Sequence, residues 1–209
     1  MSQLKYGLID IDAAEESTKP KECPQFMLET SEATGAQKGT ATHIFMQFCD
    51  FDRCEKGISE ITAEADRLES ERFITSRQRE LLDFGKIAAF FEGTLYNTVI
   101  KPCKRLYRER RFNLSLPVSS LIKEADGSSD AFVLVQGVID CFCLNKDGTY
   151  TLIDFKTDRV PKSEYGEKLL VERHSEQMRF YKEAVEKMTG GIVSKSVLWS
   201  FELGKEIEL

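Results

Sequence analysis

Two short strand-like runs joined by a turn constrain the fold of this chain most. The first run is Gln136-Gly137-Val138-Ile139-Asp140 and the second is Leu152-Ile153-Asp154-Phe155-Lys156. Between them, Asn145-Lys146-Asp147-Gly148 has the residue types of a tight turn. The pattern therefore predicts an antiparallel hairpin. Such a hairpin brings two carboxylates and a lysine together beside an apolar sheet.

The grouping of Asp140, Asp154 and Lys156 points to a particular chemistry. Two neighbouring carboxylates beside a buried sheet are costly unless a divalent cation compensates their charge. The lysine fits beside them as a partner for a phosphate or an attacking water. The pattern therefore indicates a metal-dependent site for phosphodiester chemistry. Spacing alone leaves an alternative open, in which the two aspartates end their strands facing solvent and Lys156 is a surface residue.

Length and composition are those of an ordinary globular protein. A chain of 209 residues suits one domain with a sizeable core, or one domain plus an extension. No window approaches the roughly 18 uninterrupted apolar residues that span a bilayer, and the N-terminus lacks a signal-peptide core. We therefore expect a cytoplasmic protein with no membrane partner. The six cysteines show no C-x-x-C spacing, so we expect them to be small buried apolar residues rather than metal ligands.

The charge distribution is uneven. The net charge of −6 argues against a stand-alone nucleic-acid binder, because such proteins are usually basic. Residues 101–111, however, hold six lysines and arginines and a single acid, Glu109. This run fits either a solvated strand edge protected from aggregation or a stripe that contacts phosphates beside the carboxylates.

The pattern of the remaining chain predicts an α/β fold. Residues 1–33 are polar and irregular, and we interpret them as an arm or linker, followed by one domain at 34–209. Helices are predicted at residues 40–49 (with Thr40 as N-cap), 59–71, 76–92 and 168–188. Strands are predicted at residues 106–116, 119–123, 132–144, 149–156 and 196–203. Because a helical crossover precedes the last strand, the sheet should be mixed.

Four further polar residues have both a structural and a functional interpretation. His43 lies near the start of a helix and is more often a structural residue than a ligand in such a position. Glu109 could simply balance charge. Gln177 and Tyr181 lie four residues apart on the last long helix, and hence on one face. For Tyr181 the structural interpretation is core packing with a solvated hydroxyl.

Taken together, the motifs occur in one linear order. They are Gly39-Thr40-Ala41-Thr42-His43, Arg108-Glu109-Arg110-Arg111-Phe112, Gly137-Val138-Ile139-Asp140, Asp154-Phe155-Lys156-Thr157-Asp158 and Gln177-Met178-Arg179-Phe180-Tyr181. This set resembles the RecB-like branch of the PD-(D/E)xK nuclease superfamily, and most of all its AddA-type nuclease domains, over residue 34 to the C-terminus. The resemblance implies a restriction-endonuclease-like core, α-β-β-β-α-β with a mixed sheet flanked by helices, and extra N-terminal helices.

The resemblance also implies roles for individual residues. The metal ligands would be His43, Asp140, Asp154 and the backbone carbonyl of Phe155. The catalytic lysine would be Lys156, and Gln177 and Tyr181 would lie near the DNA. Glu109 matches an acid in the strand before the motif pair. The implied ion is Mg²⁺, with Mn²⁺ able to substitute.

The function implied is a DNA nuclease, expected to be an exonuclease, in double-strand-break repair and recombination. Its partners would be DNA and a helicase domain or subunit, as in AddAB- or RecBCD-type complexes. The chain lacks the cysteines that follow the Gln-x-x-x-Tyr motif in iron–sulfur relatives, and it lacks a G-x-x-x-x-G-K-[ST] loop. We therefore expect no iron–sulfur cluster and no ATP site. The alternative is a non-catalytic or dormant nucleic-acid-binding or docking module of the same fold.

Overall fold

A computed structural model describes residues 33–117 and 131–209. In these residues a five-stranded mixed sheet has helices against both faces. The strands are β1 (Arg105–Pro117), β2 (Phe132–Leu144), β3 (Tyr150–Lys156), β4 (Val193–Ser200) and β5 (Lys205–Glu208). The helices are α1 (Gly35–Phe48), α2 (Phe51–Cys54), α3 (Ile58–Ser70), α4 (Ser76–Glu80), α5 (Phe84–Glu92) and α6 (Glu164–Thr189), and a π-helical turn occupies Tyr96–Ile100.

The strands lie side by side in chain order. The pairs β1–β2, β2–β3 and β4–β5 are antiparallel, and α6 carries the chain over so that β4 runs parallel to β3. The expected α/β class, with three strands, a helix and a further strand after N-terminal helices, is confirmed. The last strand, β5, was not expected. It is a four-residue run with charges at three positions, which gives too weak an apolar pattern to detect.

The sheet separates two apolar cores. On one face, which we call the α1–α5 side, Ile153, Phe155 and Trp199 pack against the N-terminal helices. On the other face, the α6 side, Ile139, Leu152 and Leu198 pack against α6. Of the cysteines, Cys49, Cys54 and Cys141 are fully buried in the α1–α5 core, as expected of small apolar residues.

Three predicted helix boundaries are wrong, two of them for a local reason. Helix α1 begins at Gly35 rather than after Thr40, because Thr34 and Gln37 form a reciprocal capping box. The helix predicted at 76–92 is two helices, because Asp83 caps α5 by accepting from the Lys86 N–H at 3.1 Å. Helix α6 begins at Glu164, four residues before its predicted start.

Two predictions fall on parts of the chain that the structure does not describe. These are the short strand at 119–123 and, except for Ala33, the N-terminal arm. Across the described residues, no helix combines the length and apolar character needed to span a bilayer.

Candidate active site

The site lies where β2 and β3 separate. β1 accompanies β2 along its whole length, but β3 pairs only with residues 141–144 of β2. Asp140 is the first β2 residue beyond that pairing. There the Phe155 N–H of β3 donates a 2.8 Å hydrogen bond to Asp140 Oδ2 instead of to a β2 carbonyl. The branch in the sheet therefore fixes the first carboxylate against the backbone of the second motif.

Asp154 and Lys156 are both buried on β3. Because side chains alternate along a strand, both lie on the opposite face from Ile153 and Phe155. Lys156 Nζ lies 2.8 Å from Asp154 Oδ2 and forms an ion pair with it. The angles of this contact are not those of a hydrogen bond, so the ion pair leaves Asp154 Oδ2 without one. The alternative of solvent-facing acids with a surface lysine is therefore wrong for this pair, since Asp154 is 1% exposed and Lys156 8%.

Burial controls the charge state of Asp154. Loss of solvation raises the pKa of Asp154 from 3.8 to about 6, against the opposing attraction of the Lys156 ammonium. The neighbouring Asp140 carboxylate adds to the rise. A cation that approaches Asp154 would therefore stabilise its ionised form.

A chain of hydrogen bonds connects Lys156 to α6. Lys156 Nζ donates to Gln177 Oε1 at 2.9 Å, and Gln177 Nε2 donates to Tyr181 Oη at 2.8 Å. The ring of Tyr181 meets Phe112 of β1 edge to face, with centroids 5.5 Å apart. Gly137 permits this packing, because a Cβ there would lie 2.7 Å from Phe112 Cε1. The sequence-predicted Gln177 is thus placed beside Lys156, and Tyr181 beside Gln177.

His43 reaches the site from α1. Its Nδ1 lies 3.4 Å from Asp140 Oδ2, and the side chain is about one-third exposed. Burial opposes protonation, but the hydrogen bond and charge of Asp140 outweigh it, so the pKa of His43 is raised above 6.5. Gly39 allows α1 to approach, since a Cβ there would lie 2.6 Å from Thr157 Oγ1.

Glu109 lies opposite Asp140 on β1 and has an unusual backbone. Its φ is +49°, in the left-handed region that a glutamate seldom adopts. Burial raises the pKa of Glu109, and the charge of Asp140 raises it further. The structure therefore brings this third acid to the site, where like charges face each other.

Both strands change face at the Glu109–Asp140 pair. In β2, Ile139 belongs to the α6 side but Cys141, two residues on, belongs to the α1–α5 side. In β1, Leu106 packs on the α1–α5 side and Phe112 on the α6 side. Residues an even number apart share a face in a regular strand, so the alternation is interrupted in both strands at this pair.

The basic residues at 101–111 do not act as one stripe. Arg108 Nη1 donates to the carbonyls of Met46 and Cys49, at 2.9 and 2.7 Å, and its guanidinium lies over the Phe51 ring. Lys101 is paired with Glu55 at 2.8 Å. The interpretation as a stripe of phosphate contacts is therefore wrong for Arg108, which joins β1 to the helices.

One pair near the site has no role predicted from the sequence. His174 Nε2 lies 3.5 Å from Asp158 Oδ2, which joins the segment after β3 to α6. The spacing of His174, Gln177 and Tyr181, three and then four residues apart on one helix face, was the available signal.

The types of donor atom at the site suit a hard divalent cation, although the side chains do not converge on one position. In the described residues, no three His, Cys, Asp or Glu side chains converge closely enough to hold a metal ion as they stand. Asp154 Oδ2 is nevertheless a buried oxygen without a hydrogen bond, and the Lys156 ammonium lies beside it. Carboxylate oxygens with one imidazole suit Mg²⁺ or Mn²⁺.

Comparison with known proteins agrees with this geometry. The family model described as the PD-(D/E)XK nuclease superfamily matches residues 15–208. The chain belongs to this superfamily, which confirms the resemblance carried by its motifs.

Relatives of this chain include ATP-dependent helicase/nuclease proteins of clostridia, of the AddA type. The one from Clostridium perfringens (strain SM101 / Type A) is 34% identical over 99% of this chain. Those from Clostridium novyi (strain NT) and Clostridium botulinum (strain Kyoto / Type A2) are 28% and 30% identical, over 100% and 89% of it. This chain spans 17%, 17% and 14% of the lengths of those three relatives.

Proposed function

We propose that this chain is a divalent-metal-dependent deoxyribonuclease that hydrolyses phosphodiester bonds. The observation that carries the proposal is the burial of Asp154 and Lys156 beside Asp140 at the branch of the sheet. Buried like charges destabilise a fold by several kcal/mol unless a function or a cation accounts for them. Membership of a nuclease superfamily supports the same conclusion.

The residues that would hold the cation are His43, Asp140, Asp154 and the carbonyl of Phe155. We propose Mg²⁺ as the working ion, with Mn²⁺ able to substitute. When bound, a divalent cation lowers the pKa of a coordinated water and offsets charge on the phosphate. The His43–Asp140 contact orients the imidazole, so that its second nitrogen is the one free to bind.

Lys156 is the catalytic group in this proposal. Its ammonium lies between Asp154 and Gln177, where it can orient an attacking water or stabilise negative charge on the phosphate. Gln177 holds the ammonium, and Tyr181 in turn holds the Gln177 amide. Glu109 supports the site through its position between Arg108 and Arg110, whose partners Cys141 and Ile139 flank Asp140.

We further propose that cleavage is exonucleolytic and serves DNA repair and recombination in the cytoplasm. The names of the relatives support a nuclease that acts with a helicase domain or subunit, and we propose that its substrate is DNA. A helicase would deliver the strand that this domain cuts, which suits a chain of net charge −6.

Replacing Lys156 tests the proposed function. We expect Lys156→Ala to lower Mg²⁺-dependent cleavage of end-labelled single- and double-stranded DNA by about 10²–10⁴-fold. The matched control is Lys187→Ala, at the far end of α6 and exposed, which should cut at the parental rate. EDTA should stop cleavage by the parent.

Two results would contradict the proposal. Cleavage by Lys156→Ala at the parental rate would remove this lysine from the mechanism. A parent that binds DNA but does not cut it with Mg²⁺ or Mn²⁺ would favour the dormant binding or docking module instead.

A further inference from the structure

The segment that follows β3 runs back along α6. Residues 157–163 connect the two elements, and Val160 is buried with Leu170 of α6 in the same core. Near the start of the helix, a Cβ on Gly166 would overlap the carbonyl oxygen of Pro161. The segment is therefore held against the first turns of α6 by apolar packing and by a close backbone contact.

Two polar contacts continue this arrangement toward the candidate active site. His174 Nε2 lies 3.5 Å from Asp158 Oδ2. One turn further along α6, Gln177 Oε1 accepts a hydrogen bond from Lys156 Nζ at 2.9 Å. Residues 166, 170, 174 and 177 are four, four and three positions apart, so they lie on one face of the helix. The Asp158–His174 pair is thus the contact adjacent to the one that holds Lys156.

The Asp158–His174 pair is more enclosed than an ordinary surface ion pair. The side chain of His174 is 13% exposed, and among the described residues no hydrogen bond of good geometry reaches its buried Nε2. The pKa of Asp158 is lowered, chiefly by its side-chain contact with His174 and more weakly by the charge of Lys156. The ionised form of Asp158 is therefore favoured by groups on both α6 and β3.

This pair can fix the register of α6, which apolar packing defines only loosely. The hydrophobic effect is non-directional, and a helix that slips by one residue moves by about 1.5 Å and turns by about 100°. Either change would break the Lys156–Gln177 hydrogen bond. A slip would also part His174 from Asp158 and leave a buried polar nitrogen unpaired. Fixing a register is the best-attested use of such buried polar contacts.

We propose that Asp158 and His174 are positioning residues for Lys156. They fix the register of α6 on the end of β3, so that the Gln177 amide stays within hydrogen-bonding distance of the Lys156 ammonium. Both residues act through Gln177 and not on the reacting atoms. The inference rests on the proposed function and deepens it, because it gives a role to the second of the two histidines of the chain.

The first measurement follows the Gln177 side chain and needs no cleavage. In EDTA and without DNA, the ¹H–¹⁵N spectrum of the 209-residue chain contains a side-chain amide signal for Gln177, assigned by its disappearance in Gln177→Glu. We expect His174→Leu, which keeps an apolar side chain but removes the ring nitrogens, to move this signal toward that of an exposed glutamine. Asp158→Asn, which keeps the shape but removes the charge, should move it in the same direction. His174→Gln, whose amide nitrogen can take the place of Nε2, should restore it.

The second measurement is the single-turnover rate of Mg²⁺-dependent DNA cleavage with the protein in excess. We expect His174→Leu to lower the maximal rate by about 10–100-fold through misplacement of Lys156. The protein concentration that gives half of this rate should not change. His174→Gln should recover most of the loss. The matched control is Arg173→Ala, which removes a cation 3.7 Å from Asp158 but from a side chain that is 51% exposed, and it should cut at nearly the parental rate.

A further variant separates positioning from general destabilisation. In Gln177→Ala the amide to be positioned is absent, so adding His174→Leu should not lower the rate further. A substitution that only destabilises the domain would lower the rate in both backgrounds.

The outcomes separate the two proposals. If His174→Leu leaves the Gln177 signal and the cleavage rate unchanged, or lowers the rate equally with and without Gln177, the pair is only structural and the inference is wrong. If the signal moves as expected but the parent does not cut DNA with Mg²⁺ or Mn²⁺, the positioning of Lys156 stands and the proposed nuclease function fails.

Discussion

At the scale of single residues, Asp154 shows how the fold prepares a site. Its carboxyl is buried by the same β3 alternation that buries Leu152, and its ion-pair partner Lys156 does not fully compensate it. The pKa of Asp154 is consequently raised, chiefly by burial. A cation or a proton that neutralises this buried carboxylate therefore stabilises the folded protein.

This raised pKa predicts a pH-dependent effect of Asp154→Asn. A raised folded-state pKa means that the folded protein binds the proton more tightly. This tighter proton binding stabilises the folded protein fully below pH 3.8, the ordinary pKa of an aspartate. The stabilisation is lost as the pH rises through about 6, the pKa of Asp154 in the folded protein. Asparagine resembles the protonated acid and escapes this loss. In EDTA, the free energy of unfolding of Asp154→Asn relative to the parent should therefore improve by on the order of 1–3 kcal/mol between pH 4 and pH 7.5.

Urea unfolding at the two pH values measures this difference, and the matched control is Asp147→Asn. Asp147 lies exposed in the β2–β3 turn, where hydrogen bonds from Thr149 lower its pKa. Its substitution should therefore become less favourable, not more, as pH rises. A difference for Asp154→Asn that stays constant with pH would show that the carboxyl is ionised as readily as in the unfolded chain.

At the scale of elements, the position of Lys156 depends on β1, β2 and α6 together. Phe112 supports the Tyr181 ring, Tyr181 supports the Gln177 amide, and Gln177 holds the lysine. Gly137 is the point at which β2 makes room for Phe112. A half-buried glycine in the strand thus acts on the position of Lys156 through three side chains.

Gly137→Ala tests this arrangement. Its Cβ would lie 2.7 and 2.9 Å from Phe112 Cε1 and Cζ, so the ring and Tyr181 should shift. We expect a stability loss of about 1–3 kcal/mol and a fall in the single-turnover cleavage rate. Gly35→Ala is the control, because nothing lies within 4 Å of its Cβ. Enlarging the space with Phe112→Leu should partly restore the rate, and a double variant as slow as Gly137→Ala would contradict the relay.

Most helices and strands were predictable from the sequence, because local turn and capping residues encode them. The same local residues explain the wrongly predicted start of α1. The β2–β3 hairpin followed from its turn, and Gly148 does adopt the left-handed φ of +93° that the turn needs. The true cap of α1 was also encoded, because Thr34 is followed three residues later by Gln37 whereas Thr40 is followed by His43.

The change of face at Glu109 and Asp140 was not predictable from the pattern. Alternation assumes one unbroken period, and nothing in a glutamate signals a left-handed φ. The candidate site followed from ordered motifs, but the Lys156–Gln177 contact depends on how α6 lies across β3. That placement is set by long-range packing and has no local signal.

At the scale of the whole molecule, the site draws on both layers that cover the sheet. His43 comes from the α1–α5 side, and Gln177 comes from α6. The helices on both faces must therefore keep fixed positions relative to the sheet if the site is to keep its geometry. Arg108 is a principal connection, since one side chain of β1 bonds two carbonyls near the end of α1 and covers the Phe51 ring.

Arg108→Ala should consequently lower the free energy of unfolding of the whole domain. Its loss leaves the Met46 and Cys49 carbonyls without their charged donor, which we expect to cost about 2–4 kcal/mol. Arg110→Ala removes an exposed guanidinium of the same strand that lies over the Tyr107 ring, and it should cost less than about 1 kcal/mol. Urea unfolding of both variants measures the difference. Equal losses would mean that the basic run acts through its net charge alone, and that the helices keep their place on the sheet by apolar packing without this arginine.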